Sequence, residues 1–242
     1  MREPINTDAR LALDLALTLR HDGNGGVADD LRDPAGVTAW VRAHPEILPD
    51  TAADRADDHR EGLPADTARR PVDGDGAAWF TADAAQLTAV RELRAAVRAL
   101  FARAVRPGEP SPADAARLMP LPEAVRHLNE TAARTPTVPV LDWPEGATPV
   151  VRQKPVCAGD DLTAALAHAV IAFLASPDRD RLRACHAPRC VRYFLKEHPR
   201  QEWCKPSCGN RARVARHHQR HKAPAQADRY PSERPRTARG TG

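Results

Sequence analysis

Apolar residues recur at three- and four-residue intervals over much of the first 175 positions, a rhythm that predicts helices. In "TDARLALDLALTLR", Leu11, Leu15 and Leu19 keep helical spacing, Leu13 and Leu17 widen the face, and Thr7 or Asp8 is placed to cap the start. A glycine-rich loop, "HDGNGGVADDLRD", follows it. Then "PAGVTAWVRAHPEILP" predicts a short helix opening at Pro34, with Val37, Trp40 and Val41 on its apolar side. Residues 50–78 are rich in Asp, Arg, Gly and Pro with few large apolar side chains, the composition of a long exposed connection.

The longest helix is predicted in "TADAAQLTAVRELRAAVRALFARAVRPG", where Leu87, Val90, Leu93, Val97, Leu100 and Phe101 form the stripe and Pro107-Gly108 ends it. "SPADAARLMPLPEAVRHLNETAAR" predicts one or two more helices, broken by Pro120 and Pro122. "TPTVPVLDWPEGATPVVRQKPVC" drops the helical rhythm; its Val and Thr in short runs between prolines predict a two-stranded hairpin. Helix returns in "DDLTAALAHAVIAFLAS", with Leu162, Leu166, Val170 and Phe173 on one stripe. After residue 222 the composition is that of a disordered tail.

Charge changes this picture at one end. Residues 181–242 carry 16 Lys and Arg against four acids, a net +12, whereas residues 1–180 carry a net −8. Such asymmetry is expected of a nucleic-acid-binding segment on an acidic body. Only four of the 36 cations are Lys, and the bias to Arg, Ala, Asp and Pro resembles that of a GC-rich bacterial genome. The clustering of the arginines therefore carries the argument, not their abundance. The early apolar run "LALDLALTL" is interrupted by Asp14 and too short for a bilayer, so a cytoplasmic protein without membrane contact is expected.

Four of the five cysteines, Cys185, Cys190, Cys204 and Cys208, lie within 24 residues as two close pairs. In a reducing compartment such spacing suggests a metal before disulfides, and four thiolates fill the tetrahedral shell of one structural zinc ion, leaving no position for water. Few core-forming residues lie between 181 and 222, so folding there needs more than burial. Zinc can supply on the order of 10–16 kcal/mol to so small a unit. Incidental buried thiols are the alternative, an iron–sulfur cluster fits the spacing too, and Cys157 stands outside the set.

The run "CGNRARVARHHQRHK" starts at Cys208. Gly209 and Asn210 suit a tight turn, Ala and Arg favour helix from Arg211 onward, and Val214 is placed to face the zinc core. Arg211, Arg213, Arg216, His217 and Arg220 are the candidate nucleic-acid contacts, since Arg clamps phosphate or reads guanine in a major groove. Aromatic residues for stacking single-stranded bases are scarce, which favours duplex DNA over RNA. A solvated basic face is the alternative.

At these residues the chain resembles the CGNR zinc-finger family, named for Cys208-Gly209-Asn210-Arg211. "CHAPRC", "RYFLKEHP" and "EWCKPSCGNRARVARHH" carry the resemblance. Many members have a Phe-x-Asp-x-Ser-like stretch where this chain has Phe194-Leu195-Lys196-Glu197-His198. The preceding part, through "LALDLALTLR", "DDLRDPAGVTAWV" and "LTAVRELRAAVRALF", is similar to the ABATE-type domain. The resemblance implies a ligand-sensing N-terminal domain and a stress-related transcription regulator.

Together these readings predict a mainly α protein: a helical N-terminal domain with a small β-hairpin (residues 1–175), a compact zinc-stapled four-cysteine module with a basic helix (176–222), and a tail (223–242). The function expected is a zinc-dependent, DNA-binding transcription regulator. A zinc-stabilised protein-interaction adaptor is the alternative. An enzyme is not expected, because there is no nucleotide-binding glycine fingerprint and no nucleophile elbow, and "GNGG" follows a helix instead of a strand. Asp14, Arg20 and Trp40 are candidate lining residues for an effector pocket, with Trp40 equally suited to the core.

Overall fold

The computed structural model describes residues 6–22, 24, 26–47, 80–114, 118–156 and 161–222. The expected connection at 50–78, Cys157 and the tail at 223–242 lie outside the described residues.

Helix α1 (Thr7–Leu17) is capped by Asn6, whose side chain accepts from the Ala9 amide at 2.7 Å, ahead of both expected caps, Thr7 and Asp8. It also ends earlier than its leucines suggest. The Thr18 hydroxyl donates to the Leu15 carbonyl at 2.7 Å, and Leu19 opens a strand instead of completing the stripe. That strand, β1 (Leu19–His21), pairs antiparallel with β2 (Val27–Asp29) around the glycine-rich loop. The loop thus follows a strand, contrary to the sequence reading. It leads into a second strand and not a helix, so it still lacks the helix N-terminus of a phosphate cradle.

Helix α2 (Pro34–Arg42) opens at the expected proline, with the Asp33 carboxylate accepting from the Gly36 amide at 2.8 Å. Helix α3 (Ala84–Ala104) starts with a reciprocal cap between Asp83 and Gln86. Among the described residues of the next stretch there is one helix, α4 (Leu121–Ala132), with Pro120 at its N-cap and Pro122 tolerated in its first turn, where its missing N–H costs nothing. Strands β3 (Thr137–Asp142) and β4 (Val150–Pro155) form the expected hairpin, and α5 (Leu162–Ala175) is capped by Asp161.

Helices α1, α3, α4 and α5 pack together around Leu15, Leu93, Val97, Phe101, Leu166, Val170 and Phe173. Phe101 is the hub: it meets Phe173 edge-on at 5.6 Å and Tyr193 edge-on at 5.5 Å. Tyr193 belongs to a second small ladder, β5 (Leu182–Ala184) with β6 (Tyr193–Leu195), so this core reaches into the cysteine region.

Two arginines of α3 are buried. Arg94 grips Asp29 of β2 with both terminal nitrogens, at 2.6 and 2.7 Å, and also donates to the Thr18 hydroxyl. Arg98 donates to the Ala16 carbonyl, to Asp114, to Ser111 and to the Val191 carbonyl, which spreads its charge over four partners. Among the described residues no helix is long and apolar enough to cross a membrane.

Candidate metal centre

The last helix, α6 (Pro206–Lys222), is longer at its start than the sequence suggested. Cys208 lies in its first turn, and Gly209 and Asn210 continue it, so no tight turn separates the last thiol from the basic segment. A different constraint selects glycine at 209: a β-carbon there would stand 3.0 Å from Cδ1 of Trp203, which packs across the helix start against the cysteine cluster. Contrary to the expectation from the sequence, Val214 is 56% exposed and does not face the cluster; Ala212 is the residue turned inward. The cause is phase. Starting the helix at Pro206 puts positions 208, 211, 212 and 215 on the inner face at about 100° per residue, and 214 off it.

The first thiol pair sits on the β5–β6 unit. Cys185 follows β5 and its amide donates to the Arg192 carbonyl at 2.9 Å. Cys190 ends a turn in which its amide donates to the Ala187 carbonyl at 2.9 Å. Pro188 fixes the first central position of that turn, and Arg189, at φ 63°, takes the left-handed conformation that a type II turn demands of the second. The strands sort their side chains by parity: Tyr193 and Leu195 enter the helical core, while Phe194 between them enters the cysteine cluster.

The fold brings together Cys185, Cys190, Cys204 and Cys208, with all four sulfurs within 4.8 Å of one another. Cys190 and Cys204 are 3.7 Å apart, and Cys204 and Cys208 are 3.5 Å apart. A zinc ion with Zn–S bonds of about 2.3 Å separates tetrahedral sulfurs by ~3.8 Å, so the cage fits one such ion. Its protonation chemistry agrees. The Cys185 thiol is pulled well below its usual value by hydrogen bonding from Cys190 and then Cys204. Cys190 and Cys204 are pushed up, chiefly by their bonds to Cys185. Thiols crowded this way cannot all ionise alone, whereas a divalent cation accepts all four as thiolates. Three of the four are buried, with Cys204 partly exposed. Such a closed, all-sulfur shell is structural in kind.

Arg211 reaches back along α6 and donates from Nη2 to the Cys208 sulfur at 3.0 Å, a cation placed on one of the four cage sulfurs. The other basic residues point away. Arg213, Arg216, His217 and Arg220 are exposed and fall within roughly a third of the helix circumference at about 100° per residue. Arg213 is braced by the Asn210 side chain at 2.7 Å, and the Arg216 Nε leans on the Ala212 carbonyl. Thus the structure divides the five sequence candidates: one on the metal cage and four on an outward stripe.

A family model described as "putative stress-induced transcription regulator", ABATE, matches residues 9–177. The chain belongs to the ABATE family. Directly after it, the CGNR zinc-finger model matches residues 181–221 and contains all four thiols of the cage. No curated protein matches the chain.

Sequence reasoning missed the polar links between the ABATE domain and the finger. Asp114 accepts from the Tyr193 hydroxyl at 2.6 Å, Ser111 donates to the Val191 carbonyl at 2.7 Å, and Arg98 donates to that same carbonyl. Burial, followed by the nearby Asp114 charge, pushes the Tyr193 hydroxyl up, so it stays a donor. Two of the three proposed effector-lining residues, Asp14 and Trp40, meet at His44. Asp14 lies 3.5 Å from His44, which also bonds the Trp40 carbonyl, while Arg20 pairs with Asp30 beyond the β1–β2 hairpin.

Proposed function

We propose that this ABATE protein is a zinc-dependent, duplex-DNA-binding transcription regulator of the cytoplasm. Its CGNR finger presents α6 to DNA, and its N-terminal domain senses an effector or partner. One observation carries the reading: a helix anchored at its first turn by the thiol cage directs Arg213, Arg216, His217 and Arg220 outward together. Arginines at this spacing match successive phosphates or guanine edges along a major groove. The stripe has no acid on its own helix to neutralise it. Arg211, whose Nη2 donates to the Cys208 sulfur, is given a separate task in this reading, to support the cage.

The test is selection of the zinc-loaded chain against a randomised duplex library at near-physiological salt, followed by titration at several salt concentrations. Enrichment of one motif is expected, with log affinity falling linearly with log salt. Arg216→Ala is expected to keep zinc and weaken DNA binding by about 1–3 kcal/mol. Arg211→Ala is expected to weaken zinc retention by about tenfold or more, as removal of an outer-shell partner does. A chain that holds zinc yet enriches nothing, with or without candidate effectors, would favour the adaptor.

A further inference from the structure

The β3–β4 hairpin stands apart from the four-helix core. Every residue of β4 is exposed, and so are the four central residues of β3. A solitary two-stranded ribbon is marginal in water. This one nevertheless displays Leu141 at 63% exposure beside its cross-strand partner Val151 at 64%, with Trp143 at 66% just beyond.

The backbone shows which edge is open. The Val156 amide donates to the Pro136 carbonyl at 2.8 Å, which fixes the alternation of the ladder. Val138–Lys154, Val140–Arg152 and Asp142–Val150 are then the pairs that bond to each other. The residues between them aim N–H and C=O outward. On β3 the centre of that outer edge is Pro139, which has no donor. On β4 the outward positions are Val151, Gln153 and, at the strand's end, Pro155; the first two are adjacent donors, and no strand covers them among the described residues.

We propose that β4 pairs antiparallel with β4 of a second copy, with Val151 on the two-fold axis. In this register Val151 exchanges both backbone bonds with Val151 of the other copy, and the Gln153 amide meets the Pro149 carbonyl. Leu141 and Val151 of both copies then line up as one apolar stripe across four strands. The charge pattern selects the register: Arg152 faces Val150, whereas shifting the axis to Arg152 sets arginine against arginine, and shifting it to Gln153 sets Arg152 against Lys154. It also selects the occupant. Asp142 and Glu145 near the tip balance Arg152 and Lys154, so the ribbon offers a polyanion no excess charge, while its edge is complementary to itself.

The proposal does not rest on DNA binding, because its readout is the mass of the protein alone. Sedimentation velocity of the zinc-loaded full chain over a range of concentrations is expected to show a monomer–dimer equilibrium. Gln153→Pro removes an outward backbone donor, together with the exposed side-chain bond from the Thr137 hydroxyl, and Val151→Asp sets two carboxylates together; each is expected to raise the dimer dissociation constant by about tenfold or more. Helical circular dichroism and zinc stoichiometry should stay unchanged in both. In a Cys157→Ser background, Val151→Cys is expected to oxidise to a cross-linked dimer, and Val138→Cys to remain monomeric under the same treatment. A chain that stays monomeric, or a dimer indifferent to both substitutions and not cross-linked through position 151, overturns the proposal.

Discussion

Arg189 shows how much the metal centre asks of single residues. Its φ of 63° is forced by a turn whose first central residue is proline and whose end is a ligand. A side chain in this region carries a cost that grows with branching at Cβ. Arg189→Val is therefore expected to destabilise the finger by about 1–3 kcal/mol, while Arg189→Gly leaves it unchanged or slightly more stable. Thermal melts of the zinc-loaded variants compare the two, and equal losses from both would contradict the backbone argument. The four cysteines were legible in the sequence because ligand spacing is local. The reason for Gly209 was not, since it depends on how closely Trp203 crosses the helix, which no spacing rule encodes.

Among elements, α3 was legible as a helix but not as the place where charge is buried. Its leucine and valine stripe is local in sequence, whereas the partners of its arginines are not: Asp29 is 65 residues from Arg94, and Asp114 is 16 from Arg98. The side chains of Arg98 and Asp114 are only 3% and 7% exposed, so removing one leaves an uncompensated buried charge. Arg98→Met is expected to cost about 3–5 kcal/mol in denaturant unfolding, with Arg98→Met/Asp114→Leu recovering much of it. If the double variant is as unstable as the single one, the lost carbonyl contacts matter more than the charge. Asp29 gives a pH signature. Burial works against its charge, but hydrogen bonds and the charge of Arg94, with help from Leu31 and Arg91, outweigh that and hold its folded pKa below 3.8. The stabilisation is thus fully present above the unfolded value near 3.8 and disappears as pH falls through the lower folded value. Unfolding of wild type and Asp29→Asn should differ most at and above about pH 5 and converge in strong acid.

For the molecule as a whole, the boundary drawn between the two family models at residues 177–181 is not where the packing divides. Leu182, Ala184, Tyr193 and Leu195 lie in the helical core, and Tyr193 and the Val191 carbonyl are tied to Asp114, Ser111 and Arg98. Beyond residue 202 the attachment changes in kind. Trp203, Cys204 and Cys208 gather around the thiol cage, and residues 216–221 of α6 are all exposed. One half of the finger is therefore held by apolar burial and hydrogen bonds that need no metal, and the other by coordination. Removing zinc with a chelator should accordingly release α6 while leaving β5–β6 in place. In hydrogen exchange, amides of residues 206–222 are expected to lose protection on chelation, and those of 193–195 to keep most of theirs. Uniform loss across both stretches would mean that the metal stabilises the hairpin as well. Split protection would instead make the cage a joint: the ABATE body grips the first pair of ligands, the second pair carries the basic helix, and a change in packing around Tyr193 reaches α6 through the sulfurs that both halves share.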